Sequence, residues 1–182
     1  LQPDLDLGVM TPGQTLASLS ARLFTAVDGL LESERPDALL VQGDTTTVMV
    51  AALCAFYRGV PVGHVEAGLR SFDRRAPFPE EVNRRVAGIA ADLHFCPTGL
   101  ARDNLLREGT PEADVFVTGN TVVDALMLTV ESVRANPRPF PPEVARALEG
   151  GRRMVLVTGH RRESFGEGFR DICRAIAELS RL

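Results

Sequence analysis

Leu16, Leu19, Leu23, Val27, Leu30 and Leu31 recur at the spacing of one helix face, which predicts an amphipathic helix over about residues 15–33. A short continuous apolar run, Ala38 to Val41, follows and ends in Gly-Asp. Such a run suits a strand buried on both faces of a parallel sheet. The stretch TTTVMVAALCAFYRG then reads as a helix ended by Gly59. VPVGHVEAG reads as a strand, and PEEVNRRVAGIA as a helix with Pro79 in its first turn. ADLHFCPT, GLARDNLLREG, ADVFVTGN and TVVDALMLTVESV continue as strand, helix, strand and helix.

Strict alternation of strand and helix predicts an α/β fold, a Rossmann-like doubly wound parallel sheet with helices on both faces. A Pro-rich stretch, ANPRPFPPE, interrupts the pattern at Ala135 to Glu143. A short helix (EVARALEGG), a strand (RRMVLVTGH) and a helix (GFRDICRAIAELS) come after it. One strand and one helix cannot build a core of their own. The expected organisation is therefore a first Rossmann-like domain over 1–136, its start missing. A linker with a short helix covers 137–151, and 152–182 begins a second, truncated domain. The prolines also fit a surface loop within one domain.

The chain has 182 residues, 45% hydrophobic and 24% charged, with a net charge of −4. That balance argues against sequence-independent binding to nucleic acid. Every basic residue is Arg, with no Lys. Genome composition is the first explanation, but Arg also grips phosphate in a bidentate way. Cys54, Cys96 and Cys173 lie far apart, with no CxxC spacing. Buried free thiols are expected, not a metal site or a disulfide framework. No apolar run approaches the roughly 18 residues of a membrane span, and no signal-peptide pattern opens the chain. A soluble, cytoplasmic protein without a membrane partner is expected. The opening, LQPDLDLGVM, lacks Met and reads as a mid-domain loop, so the natural N-terminus is expected upstream.

In open α/β sheets ligands bind beyond the carboxyl ends of the strands. Those ends read GDTTT, HVEAGLR, CPT, VTGNT and VTGHRRESFG. GDTTT sets Asp44 and three hydroxyls at a helix N-terminus, which fits a cap and also an oxyanion site. Glu66 follows a buried strand. It is either a partly desolvated proton acceptor or the partner of Arg70. Glu80 and Glu81 favour the dipole of the next helix, and Glu80 to Arg84 is an i,i+4 pair. His160, Arg161 and Arg162 precede a Gly-containing turn and a helix, which suits a diphosphate. His64 and His94 lie inside strands and read as core histidines with a satisfied hydrogen bond. No GxGxxG, Walker A or GxSxG motif appears, so neither a bound dinucleotide, ATP hydrolysis nor a serine triad is indicated.

The pieces MTPGQTL, VQGDTTTVMVAALCAFYRGVPVGHVEAGLRSFDRRAPFPEEVNRR, FVTGNTVVDAL and VTGHRRESFGEGF together resemble the non-hydrolysing UDP-N-acetylglucosamine 2-epimerases. The resemblance runs through nearly the whole chain, in the family's order. It implies two Rossmann-like domains in the GT-B arrangement and interconversion of UDP-GlcNAc and UDP-ManNAc. Asp44, Glu66, Glu80 and His160 match positions the family uses in catalysis. Arg161 matches its nucleotide-sugar site, and Arg70 and Gln14 are further candidates for substrate contact. Regulated relatives carry an Arg-Gln pair where this chain has Gly13-Gln14, which puts allosteric control in doubt. The family's upstream GTRPE and downstream SGG…EE motifs are absent, so this piece alone is expected to be inactive.

The resemblance also implies a route. UDP leaves C1 as the C2 proton is removed, and UDP then adds back to the 2-acetamidoglucal while a proton arrives on the other face. No cofactor and no metal are required. A homodimer of the full-length protein and a role in cell-surface polysaccharide synthesis are expected. A GT-B glycosyltransferase and a non-catalytic UDP-sugar-binding protein are the rival readings. Of the segment from His64 to Arg85, Glu66 and Glu80 are the expected chemical groups. Arg70, Arg84 and Arg85 would hold carboxylates or face solvent. Asp73, Arg74 and Arg75 would form a loop able to close over the sugar.

Overall fold

In the computed structural model, residues 3–149, 155–158 and 166–180 are described. They divide into two compact units, Leu1–Ala125 and Leu126–Leu182.

The first unit is built on four parallel strands in the order β1-β2-β3-β4. These are β1 (Leu39–Gln42), β2 (Val62–Val65), β3 (Leu93–Cys96) and β4 (Val115–Val117). The helices are α1 (Leu16–Glu34), α2 (Thr46–Tyr57), α3 (Glu80–Ala90), α4 (Gly99–Arg107) and the start of α5 (Thr121–Ala135). A parallel pair needs a crossover, and α2, α3 and α4 supply one each. Thr15, Thr45 and Thr98 cap α1, α2 and α4, each hydroxyl accepting from an amide three residues on. Pro79, expected within the first turn of α3, takes the N-cap position, one residue before the helix.

The core lies between the helices and one face of the sheet. Leu23, Val27 and Leu31 of α1 meet Val50, Ala52, Cys54 and Ala55 of α2, with Val41 and Val62 beneath. Three of those side chains are Ala or Cys, so the helices sit close to the sheet. The other face differs from the two-sided burial expected of β1. Leu40, Leu93 and Phe116 alternate onto it and remain 69%, 42% and 44% exposed. A Cβ at Gly63 would lie 2.6 Å from Leu40 Cδ2 and 3.1 Å from Phe95 Cε2, so those side chains would have to shift to admit one.

His64 and His94 are register partners on the buried face. The Nε2 of His64 meets the Gly43 carbonyl at 2.8 Å, but both Nδ1 atoms lack a partner among the described residues. The expected core role holds for both, and full satisfaction does not. Burial pushes both imidazoles below their ordinary pKa, so they stay neutral. Cys54 and Cys96 are buried, and burial raises both thiols.

The second unit continues α5 and carries α6 (Pro142–Leu148) and α7 (Glu167–Leu179). Of the expected strand over 152–160, only 155–158 are described, and they carry no strand pairing. A parallel strand needs a neighbour to bond to, and the described residues of this unit offer none. Cys173, expected to be buried, is exposed on α7, which buries no residue.

Among the described glycines, Gly68 has the tightest approach to another backbone segment. Its φ is +84°, and a Cβ would lie 2.2 Å from the Ala101 carbonyl oxygen. Asn104, itself buried, donates to the Gly68 carbonyl at 3.0 Å. Gly68→Ala should destabilise the protein by at least about 2 kcal/mol in urea unfolding, and an unchanged midpoint contradicts this contact. The depressed histidines add a pH dependence. The unfolded chain takes up protons below about pH 6.5 that the native state refuses, so stability falls as pH drops from there. A His64→Gln/His94→Gln variant should show a shallower fall between about pH 6.5 and 5 in thermal scans.

Candidate active site

The carboxyl ends of β1 and β2 each turn sharply into a polar segment. Gly43 has φ +82° and donates its amide to Val65 O at 3.0 Å, so the two strand ends stay joined past the last formal pair. Asp44 follows. After β2 comes Glu66 with φ +66°, a left-handed conformation that costs a non-Gly residue free energy. A Cβ added at Gly43 would lie 3.7 Å from Glu66 Oε2, which sets the Glu66 carboxylate beside the residue preceding Asp44. Glu66 is half-buried and makes no hydrogen bond or ion pair among the described residues.

The N-terminus of α3 reaches the same place. Arg84, on its second turn, is ion-paired with Asp44 Oδ2, and its other amine meets Glu81 Oε2 at 3.2 Å. Asn83 is buried and donates to the Asp44 carbonyl at 3.0 Å. Glu81 is fully buried at 0% exposure. Its carboxylate also accepts from Ser71 N at 3.0 Å and Phe72 N at 3.2 Å. Phe72 has φ +62°, a second strained residue within six positions of Glu66. Glu80, the first residue of α3, is half-buried and has no polar partner among the described residues.

Asp44, Glu66 and the start of α3 with Glu80 are therefore brought to one end of the sheet. Two predicted residues are not. Arg70 has a side chain only 1% exposed and turns to the end of α4, where Nε and Nη2 meet Glu108 at 2.9 and 2.7 Å. That pairing rules out the alternative of a Glu66–Arg70 bridge, and it holds the Glu108 carboxyl below its ordinary pKa. A guanidinium so enclosed has no free edge for a substrate. Gln14 accepts from the Thr11 amide at 3.0 Å and from Arg22, and nothing ties it to the strand-end cluster. His160 and Arg161 lie outside the described residues. Asp73, Arg74 and Arg75 are exposed, and Asp73 Oδ1 accepts from the Arg75 amide at 2.8 Å.

Glu81 and Arg84 carry much of this geometry, and the expected Glu80–Arg84 pair does not form. Helical period did not hold the signal: at 3.6 residues per turn Glu80 falls between Arg84 and Ala87 around the helix, and Glu81 is the buried one because the Ser71–Phe72 turn packs against it. A cavity of about 530 Å3 opens elsewhere, lined by Asp92 and His94 near the amino end of β3 and by Glu108 and Gly109 after α4. Strand topology places ligands at the carboxyl ends instead. Among the described residues, no group of three His, Cys, Asp or Glu could hold a metal ion.

A parallel α/β sheet with carboxylates gathered at its strand ends defines an α/β protein, and its structural neighbours are of the GT-B type. A family model described as UDP-N-acetylglucosamine 2-epimerase matches residues 1–182, and the chain belongs to that family. It is 50% identical to the UDP-N-acetylglucosamine 2-epimerase of Yersinia pestis, covering 100% of this chain and 49% of that protein. The Escherichia coli K12 enzyme of that name is 46% identical over 98% of this chain and 48% of its own length. The crystal structure of the Neisseria meningitidis UDP-GlcNAc 2-epimerase bound to UDP-GlcNAc superimposes with a TM-score of 0.87 at 39% identity, over 100% of this chain and 49% of that one. The Methanocaldococcus jannaschii enzyme in complex with UDP-GlcNAc and UDP gives 0.78 at 34% identity, over 98% and 48%. The chain spans about half the length of the relatives it matches.

Neighbouring glutamates should behave differently. Glu81→Ala leaves three N–H donors facing an empty space and should cost about 2–4 kcal/mol in urea unfolding. Glu80→Ala should stay within about 1 kcal/mol of the parent. Equal losses contradict the burial of Glu81.

Proposed function

We propose that the full-length protein interconverts UDP-GlcNAc and UDP-ManNAc by inverting C2, without net hydrolysis. The observation that carries this is the meeting of Asp44, Glu66 and the α3 N-terminus at the ends of β1 and β2, in a chain of the epimerase family. The C2 proton is not acidic, because no carbonyl is attached to that carbon. Its removal becomes feasible when UDP departs from C1 in the same event, giving a 2-acetamidoglucal. Re-addition of UDP with protonation on the opposite face completes the inversion. The scheme needs a base, an acid and a cationic hold on the diphosphate.

Asp44, Glu66 and Glu80 are the proposed proton-transfer and positioning groups. Glu66 is the foremost candidate for the base, because its carboxylate has no competing partner among the described residues. His160 and Arg161 are proposed to stabilise the leaving diphosphate by preorganised charge. Gln14 is kept as a more distant substrate contact, and Arg70 acts through the fold. No hydride carrier is needed.

The same reading extends to the whole protein. Two Rossmann-like domains, divided around residues 137–151, would face each other across the cleft. Half of that cleft is supplied from outside this chain, so the piece alone should not turn over substrate. No described helix is long and apolar enough to cross a membrane, which accords with a cytoplasmic enzyme. A homodimer and supply of an N-acetylmannosamine donor to surface polysaccharide belong to the same proposal.

In heavy water, the full-length protein should replace the C2 proton of UDP-GlcNAc with deuterium while UDP-ManNAc accumulates, as followed by NMR. Binding without exchange would point to a UDP-sugar-binding protein. Transfer to an acceptor without exchange would point to a glycosyltransferase. Glu66→Gln should slow exchange by at least about 100-fold, with the Kd for UDP within about threefold of the parent. Near-parental exchange in that variant removes Glu66 from the chemistry.

A further inference from the structure

The reacting carboxylates proposed above sit on three different segments, and the structure shows what joins them. Asp44 follows β1, Glu66 follows β2, and Glu80 opens α3. The segment from Ala67 to Pro79 joins Glu66 to Glu80 and has no helix or strand of its own. Its turn at Ser71–Phe72 is fastened by two amide hydrogen bonds to the Glu81 carboxylate. The same carboxylate orients Arg84, whose other amine holds Asp44. We infer that Glu81 is a positioning residue for the reaction. It acts through Arg84 on Asp44 and through the Ser71–Phe72 turn on the spacing of Glu66 and Glu80.

The donor set fixes why this group is a carboxylate. Oε2 receives the Ser71 amide and an Arg84 amine, and Oε1 receives the Phe72 amide. All three partners donate. A carboxylate accepts at both oxygens, whereas a Gln amide must aim an NH2 at one of these donors. Glu81→Gln, nearly isosteric, therefore breaks at least one bond without opening a cavity. If the amide faces Phe72, that residue loses its acceptor while still held at φ +62°. If it faces Arg84, the guanidinium is left with Asp44 alone and can draw that carboxylate out of place. Both routes disturb groups that touch substrate, although Glu81, at 0% exposure, cannot touch it.

This inference rests on the epimerase reading, and its test separates the two. Three single or double variants of the full-length protein suffice: Glu81→Gln, Arg84→Lys and their combination. Circular dichroism and UDP binding by calorimetry establish the folded, binding-competent fraction. Per folded site, Glu81→Gln should lower kcat for epimerisation by at least about tenfold, with KM within about threefold. The Arg84→Lys loss should not multiply with it, because both act on Asp44 through one contact. Amide hydrogen exchange in the peptide over 71–79 should quicken in Glu81→Gln and much less in Arg84→Lys. A purely structural Glu81 predicts an unchanged kcat per folded site and fully multiplicative losses, and either result overturns the inference. If the parent shows no C2 exchange at all, the functional reading fails. The hydrogen-exchange comparison then still decides whether Glu81 latches the turn, and unchanged protection rejects it.

Discussion

A carboxylate removed from water must find donors, and Glu81 finds them on two separate pieces of chain. That requirement does more than satisfy one side chain. It sets the entry of α3 against the Ser71–Phe72 turn and aims Arg84 across to the end of β1. Asn83 adds a bond to the Asp44 backbone from the same turn of α3. The first turns of α3 are thus sewn to β1, which lies two strands away from β3 in the sheet order.

Parallel strands bring their carboxyl ends to one side, and the crossover helices begin there. Three features sharpen that general geometry here. Gly43 at positive φ lets the end of β1 stay bonded to β2. Glu66, also at positive φ, turns its carboxylate back beside Gly43. Gly68 then lets the chain pass against Ala101 of α4 with no room for a side chain. Strain at Glu66 and Phe72 is held by the surrounding bonds, and it falls where three acidic side chains gather. The buried His64 lies under this corner, its ring bonded to the Gly43 carbonyl and kept neutral by burial.

Much of the fold was legible because hydrophobic period and caps agree along the chain. The Leu stripe of α1, the short apolar runs of the strands and the GDTTT cap of α2 all marked real elements. The exposed second face of β1 was not legible, since an apolar run does not say what will cover each side. The rule that ligands sit at strand ends singled out Asp44 and Glu66, and the structure sets them at the carboxyl ends of β1 and β2. Arg70 and Arg84 show the limit of that rule. Both are arginines near the same corner, yet Arg84 reaches Asp44 while Arg70 turns to Glu108, thirty-eight residues away in sequence. Long side chains choose partners by tertiary placement, which spacing cannot give. Glu81 was overlooked because helix-dipole logic treats adjacent first-turn glutamates alike, and the turn that buries one of them comes from tertiary placement.

The most direct test of the chemistry is the fate of the oxygen that joins C1 of the sugar to the β-phosphorus. UDP-GlcNAc carrying heavy oxygen at that bridge would be incubated with the full-length protein, and the phosphorus resonances followed. Departure of UDP during inversion frees the β-phosphate to turn, so the label should spread from the bridge to the non-bridging positions as UDP-ManNAc forms. If UDP-ManNAc accumulates while every label stays in the bridge, UDP never leaves C1, and the proposed use of these carboxylates is wrong.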